Sequence, residues 1–468
     1  MKLQKQIIKE FHNITEEYIE NMNAEHVPVV NYKNPKALAE LIDFEIQKNG
    51  TDESQLIKLI KQYLEYAVNT GNRQFFNQLY GGFNLPAFFG EVLSALTNTS
   101  MYTYEVAPVA TLIETEIIRK MCKITGYQNG DGIFVTGGSN ANLIAMFSAR
   151  NKLYPNIKAE GIYGLPKLSV FTSDQAHYSL ETNANLLGIG TKQIYKIKTD
   201  ENGRMIPEEL EKEIINSIQK NEKPFFISAT AATTMLGAFD PFEQIAEIAE
   251  KHAIWFHVDG SFGASLQLTS KAKHLFKGIE KSDSLAWNPH KLMNIPLICS
   301  VILVNHKQQL YKNLTDLDND YIFHETETAS CDLGKKSVQC GRRVDALKLW
   351  LAWKYYGDKA YADHIDNQLH AAEYFEKKVK ADKHLELLAP RQSLTVCFRY
   401  ITKSGKSLNK ANENIREALR KSGKSIVNYG YINNEFAFRW VVANAQTQTK
   451  DIDRFFDNFI STAKKLNL

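Results

Sequence analysis

Between residues 133 and 304, short apolar runs alternate with stretches of helical period, and few folds accommodate that rhythm. The runs fall at 133–135, 167–173, 193–198, 224–229, 254–258, 284–288 and 299–304. They are short and largely unbroken by polar residues, so they read as strands buried on both faces. The stretches between them carry helix signals. Pro207 opens one, with Leu210, Ile214 and Ile218 on a single face; proline suits a first helical position because the N–H it lacks has no partner there. The repetition predicts an α/β fold with a large, doubly wound, mainly parallel sheet and right-handed crossovers. In such a sheet, ligands collect at the carboxyl ends of the strands.

The flanks read differently. Residues 1 to about 75 show helical spacing, with Leu38, Leu41 and Ile42 on one face and Ile57, Ile60 and Leu64 on another. Residues 346–468 hold a strongly apolar helix, then strands at 394–401 and 436–443 between amphipathic helices, a small α+β domain. The expected division is a helical N-terminal segment (1–83), a large domain (84–345) and a small C-terminal domain (346–468). Residues 314–338 are polar and irregular, which inside a compact enzyme suggests a lid or working loop.

At 468 residues and 44% hydrophobic content the chain can bury a sizeable core. A net charge of +3, with both signs mixed, gives no reason to expect nucleic acid. No apolar run reaches membrane-spanning length, and the N-terminus lacks a signal-peptide core. The five cysteines (Cys122, Cys299, Cys331, Cys340 and Cys397) are scattered without metal spacing. Reduced thiols in a cytoplasmic protein, with no bound metal, are therefore expected.

The chemistry concentrates at strand ends. Lys291 follows Trp287-Asn288-Pro289-His290, where Pro289 stops an apolar strand. A desolvated lysine there has a lowered pKa and, as a neutral amine, attacks aldehydes. Asp259 ends the apolar run 254–258 and can keep a pyridine nitrogen protonated. A lysine that captures an aldehyde, with an aspartate on the ring nitrogen, is the recurring protein contribution to pyridoxal 5'-phosphate (PLP) chemistry. Gly137-Gly138-Ser139 opens a helix after the 133–135 strand. Its glycines let the backbone close on an anion, and the helix end supplies N–H groups, which makes it a candidate phosphate cradle. Small residues from Thr230 to Thr234 would let a flat ring lie against the backbone. His177, just past a strand end, is by itself either a packed loop histidine or a cofactor contact.

These motifs, His257-Val258-Asp259 followed by Trp287-Asn288-Pro289-His290-Lys291, resemble those of the PLP-dependent group II amino-acid decarboxylases. The glutamate, aspartate and cysteine-sulfinate enzymes are closest, and the likeness runs from about Asn77 to Asn444. The resemblance implies PLP fold type I, the aspartate-aminotransferase-like architecture. It also implies a homodimer with active sites at the subunit interface, in which the N-terminal helices act as a dimerisation arm; a lid within one chain is the other reading of that segment. Cofactor contacts are implied at Gly138, Ser139, Asn142, His177, Thr230, Asp259, Asn288, His290 and Lys291, with His177 stacked on the ring.

The resemblance further implies that Tyr321 closes over the partner's active site and returns a proton to the α-carbon, His177 being the alternative donor. Asn77-Gln78-Leu79-Tyr80-Gly81-Gly82-Phe83-Asn84 is similar to the family's substrate loop. Gln78 would meet the distal acid group, Tyr80 fills a position that varies with substrate, and Arg439 resembles the arginine that meets a substrate carboxylate. The chain departs from the family at Phe83, at Asn84, at Ala232 (usually Gly) and at Gly260-Ser261 (usually Ala-Ala). The last change is expected to leave one face of the ring less tightly packed. The implied reaction is α-decarboxylation of a short acidic L-amino acid: aspartate, cysteine sulfinate or glutamate. Decarboxylation of aromatic or other amino acids, a different PLP reaction such as carbon–carbon lysis, and a non-catalytic PLP-binding protein are the alternatives.

Overall fold

A computed structural model describes residues 2–314, 321–402 and 407–467. Part of the segment read as a lid, residues 315–320, lies outside the described residues. In chain order the strands are β1 (Phe75–Phe76), β2 (Asp131–Val135), β3 (Leu168–Ser173), β4 (Ile194–Ile197), β5 (Lys223–Thr230), β6 (Trp255–Gly260), β7 (Ser284–Trp287), β8 (Ser300–Val304), β9 (Leu385–Leu387), β10 (Thr395–Tyr400), β11 (Ile426–Ile432) and β12 (Glu435–Val441). The chain forms two compact units. One comprises Met1–Gly82, Ala371–Leu388 and Val396–Leu468; the other, larger, comprises Phe83–His370 and Ala389–Thr395.

The larger unit is built on a seven-stranded sheet ordered β2-β8-β7-β6-β5-β3-β4. Strands β3 to β7 pair in parallel, as their unbroken apolar runs require. Every residue of β3, β6, β7 and β8 is buried, because helices cover both faces. One helix, Gly138–Leu153, packs Ile144, Ala145 and Ala149 against the sheet's core. The helix starting at Pro207 forms as its sequence signals predict. Strand β8 runs antiparallel to both β7 and β2. Its apolar run carries no sign of direction, and the short connection from β7 needs no crossover helix.

The smaller unit carries a five-stranded sheet, β1-β11-β12-β10-β9. Two of these strands, β10 and β12, are the expected ones. The others are short or solvated: β11 alternates partly buried and exposed residues along its second half, and β1 has two residues. That two-residue strand matters nonetheless. It pairs in parallel with β11 (Phe75 opposite Ile426, Phe76 opposite Val427) and so ties the N-terminal segment to the C-terminal sheet. Phe76 stacks on Trp440 at 4.8 Å between ring centres, within a core that includes Phe375, Phe398 and Phe455. The helices Lys2–Asn21, Pro35–Leu41 and Glu53–Tyr66 precede it. Among the described residues, no helix is long and apolar enough to cross a membrane.

Candidate active site

Register places the functional groups side by side at the carboxyl ends of the parallel strands. Thr230, the last residue of β5, lies opposite Asp259 on β6, and Asp259 lies opposite Ala286 on β7. The turn carrying Lys291 begins just beyond β7. Around these ends lies a cavity of about 190 Å³ lined by Gly138, Ser139, Asn142, His177, Thr230, Ala232, Thr234, Asp259, Ser261, Phe262, Asn288 and Lys291.

Gly137 has φ of 114°, a conformation glycine adopts without strain, and no side chain caps the helix that starts at Gly138. A Cβ added at Gly138 would collide with Ser261 Oγ and come within 2.8 Å of Asn288 Nδ2. The backbone therefore approaches two polar side chains closely. Ser261 Oγ and Asn288 Oδ1 are buried without a hydrogen-bond partner among the described residues. Buried polar atoms of that kind call for a ligand.

Asp259 is 6% exposed yet ionises readily. Burial raises its pKa, but donors from Ser261 and Asn142 and the charge of Lys291 outweigh it, and the net direction is down. Ser261 N–H reaches Oδ1 at 3.0 Å and Asn142 Nδ2 reaches Oδ2 at 2.8 Å. His177 accepts the Ser179 N–H on Nδ1 at 3.2 Å. Burial lowers its pKa, with Asp259 opposing and Lys291 assisting, so the ring favours the neutral form. The half-buried Lys291 sits in a turn closed by its own N–H on Asn288 O at 3.0 Å. The segment after it is anchored by the buried Lys348, whose Nζ donates to Ile298 O at 2.7 Å and pairs with Asp345 at 2.8 Å.

Two of the expected residues stand back from the cavity lining. His290 is not among the residues lining it; its Nδ1 is held against the backbone of Cys299, 2.8 Å from the carbonyl oxygen. Gly260 does not line it either. A Cβ there would meet Leu285 Cδ1 at 2.7 Å and Ala286 O at 2.8 Å, so Leu285 occupies the room that a methyl group would need. Ala232 does take up the left-handed conformation suited to glycine, with φ of 68°. Phe262 lines the cavity without having been singled out in the sequence. Its nearness to the end of β6 was the available signal.

The remaining expected residues are not among those lining this cavity. Gln78 and Tyr80 belong to the smaller unit and are partly exposed. Arg439, also in that unit and 3% exposed, donates through Nη2 to Asn77 O at 2.7 Å. Tyr321 is 77% exposed and does not line the cavity. Close by, Phe323 packs on Tyr102 with ring centres 5.2 Å apart. Further along, Leu333 and Gly334 donate to Tyr102 O.

The profile of the pyridoxal-dependent decarboxylase conserved domain matches residues 35–401. The chain belongs to the pyridoxal-dependent decarboxylase family. It is 39% identical over 438 residues to cysteine sulfinic acid decarboxylase of Mus musculus, covering 91% of this chain and 89% of that protein. It is 36% identical to mouse acidic amino acid decarboxylase GADL1, covering 97% and 85%. The crystal structure of mouse CSAD in apo form superposes with a TM-score of 0.95 at 36% identity, covering 98% of this chain and 99% of that one.

This decarboxylase uses PLP, and its cavity fits that cofactor. The phosphate, ring nitrogen and aldehyde of PLP would each find a suitable group there: an uncapped helix start, a carboxylate and a lysine, with unpartnered polar atoms between them. When bound, the pyridine ring supplies a sink for the electron pair released as CO2 leaves.

Proposed function

We propose that this decarboxylase removes the α-carboxylate of a short acidic L-amino acid (aspartate, cysteine sulfinate or glutamate). The observation that carries this reading is the kinship with cysteine sulfinic acid decarboxylase over nine-tenths of both chains, together with a buried arginine held beside the loop that bears Gln78.

In this reading Lys291 would hold the cofactor covalently through its aldehyde. Asp259 would keep a proton on the ring nitrogen, which its lowered pKa favours. Gly138 and Ser139 would cradle the phosphate, Thr230 and Asn288 would contribute polar contacts, and His177 would cover the ring. The protein's main task is to orient the substrate's α-carboxylate, which is positioning rather than proton chemistry. Arg439 and Gln78 recognise the substrate's carboxylates, and Tyr80 shapes the loop. Tyr321 then delivers a proton to the α-carbon, acting in the partner subunit.

A homodimer is part of the proposal. Leu85, Phe89, Val92, Leu96, Val109 and Leu112 are all more than 40% exposed on two neighbouring helices of the larger unit. An apolar surface of that kind calls for a protein partner. In the N-terminal helices Ile8, Phe11 and Tyr63 are exposed in the same manner, which supports a dimerisation arm. We also propose the three-part division at 83/84 and 345/346, and a cytoplasmic location, in keeping with five scattered cysteines that follow no metal spacing.

The test is a panel of L-amino acids assayed for CO2 release, with borohydride reduction of the resting enzyme. The expected result is activity on acidic substrates and a pyridoxyl adduct on Lys291. Activity confined to aromatic amino acids would overturn the substrate class. An unlabelled Lys291 would overturn the site.

A further inference from the structure

Behind Asp259 a chain of buried polar groups runs back through the sheet. Asn142 Nδ2 donates to Asp259 Oδ2 at 2.8 Å and to Ser179 Oγ at 3.1 Å. The Asn142 Oδ1 atom lies 3.0 Å from His257 Nε2. On the other side of that ring, Nδ1 lies 2.8 Å from Ser284 Oγ, and Ser284 Oγ accepts Trp255 Nε1–H at 2.8 Å. Asn142, His257 and Ser284 are at most 1% exposed and Trp255 is 6% exposed. Groups buried this deeply depend on their protein partners for hydrogen bonds.

The direction of every bond in this chain is fixed by its ends. An ionised Asp259 can only accept, so the Asn142 amide must present its nitrogen there, and its oxygen faces His257. An amide oxygen can only accept, so His257 Nε2 carries the hydrogen. Burial holds the imidazole neutral, with Asp259 and the Ser284 backbone opposing that effect, and lowers its pKa to about 4. Nδ1 is therefore an acceptor and takes the Ser284 hydroxyl hydrogen. The serine oxygen is left to accept from the indole, a group that can only donate. Both ends demand the same polarity.

We propose that Trp255, Ser284, His257 and Asn142 form a one-way hydrogen-bond relay that fixes and keeps ionised the carboxylate of Asp259, with His257 as its central positioning residue. Each donor polarises the next toward the carboxylate, and in a low-dielectric interior such chains strengthen cooperatively. The relay explains why a fully buried histidine sits two residues before Asp259 on the same strand. A pleated strand turns residues 257 and 259 to the same face, where one asparagine from the helix above can bridge them. The purpose given to the relay rests on the reading of Asp259 as the partner of the ring nitrogen.

The test compares apo-protein and PLP titrations in four variants. In wild-type apo-protein at pH 7, a histidine-selective 15N spectrum, assigned by the signal lost in His257→Gln, is expected to show a neutral ring with the hydrogen on Nε2. A hydrogen on Nδ1, or a charged ring, overturns the relay. His257→Leu keeps bulk but breaks the chain, and PLP affinity is expected to fall roughly tenfold to a hundredfold, the range for stranding a buried polar group without its partner. His257→Gln can still donate to Asn142 and accept from Ser284, and is expected to recover most of that loss. Equal damage from Leu and Gln, or no damage from Leu, overturns the proposal. If His257→Leu does not fold, Ser284→Ala decides: weaker PLP binding supports the relay, and wild-type binding overturns it. Asp259→Asn separates the two levels. If it binds PLP as tightly as wild type, the reading of Asp259 itself fails; if it binds weakly while His257→Leu binds normally, the relay alone fails.

Discussion

Arg439 on β12 donates to the carbonyl oxygen of Asn77 at 2.7 Å, joining residues 362 positions apart in the sequence. Burial pushes the guanidinium pKa down to about 10, still high enough to keep the charge at neutral pH. Arg439→Met is therefore expected to raise KM for the acidic substrate by roughly tenfold to a hundredfold, the cost of one hydrogen bond to a charged group. Steady-state CO2 release measures it. An unchanged KM would remove Arg439 from substrate recognition.

Stability is expected to hinge on the ion pair between Arg342 and Glu114. Both side chains are almost fully buried. Arg342 Nη1 also donates to Met101 O at 2.7 Å, and Glu114 Oε1 accepts the N–H of Phe134 on β2 at 2.8 Å. Arg342→Leu strands a carboxylate in the interior and is expected to cost about 3–5 kcal/mol. The exposed pair Arg119–Glu116 serves as the control, since Arg119→Leu should change stability by less than about 1 kcal/mol. Urea unfolding of the two variants would show comparable midpoints if burial were irrelevant.

Acid should destabilise the fold through its buried histidines. Burial lowers the pKa of His257 to about 4 and that of His290 to about 3, against an ordinary 6.5. The folded pKa values are depressed, so the unfolded chain takes up protons first as pH falls. Stability is full above pH 6.5 and is lost as pH drops from there toward 4. His257 alone accounts for a change on the order of 3 kcal/mol. Unfolding midpoints of wild type and His257→Gln between pH 7 and pH 4.5 should converge toward the acid end. Parallel curves would mean that His257 does not titrate on unfolding.

Ala232 lies in left-handed conformation space at φ of 68°, beside the cavity. A residue with a Cβ is strained there by about 1 kcal/mol or more. Ala232→Gly is expected to recover about that amount in thermal or urea unfolding while PLP still binds. A loss of stability in this variant would show that the methyl group's packing outweighs the backbone strain.

Tyr321 is 77% exposed, while its neighbour Phe323 is docked on Tyr102. Tyr321→Phe is expected to release CO2 in the first turnover but to form amine roughly a hundredfold more slowly, the usual cost of losing a positioned proton donor. Quantifying both products in one quenched time course checks it. Normal amine output would free Tyr321 from any part in the reaction.

Much of the larger unit was legible because its apolar runs leave few alternatives. Seven short runs between helical stretches fit a doubly wound sheet, and Asn288-Pro289-His290-Lys291 marks the strand end that matters. What stayed hidden depends on contacts distant in sequence. Nothing in Ser300–Val304 signals that it runs against its neighbours, and nothing in Phe75-Phe76 announces a partner at Ile426. His290 stands next to the lysine in sequence, yet the turn swings its ring onto Cys299. His257 looked like part of a motif, and only its two bonded nitrogens suggest a task. Sequence adjacency conveys which strand end a residue occupies; the direction a side chain takes from there depends on the turn.

The pairing of β1 with β11 has a consequence for how the protein is made. During synthesis, the first eighty or so residues emerge from the ribosome long before the strand they pair with. The larger unit, whose residues run almost unbroken from Phe83 to His370, can fold while those helices wait. Residues such as Val29, Phe75 and Phe76, buried in the finished fold, are then left without their final surroundings until translation ends. That interval is when a chaperone would be of most use to this chain, and truncation before residue 426 should leave the N-terminal helices prone to aggregation.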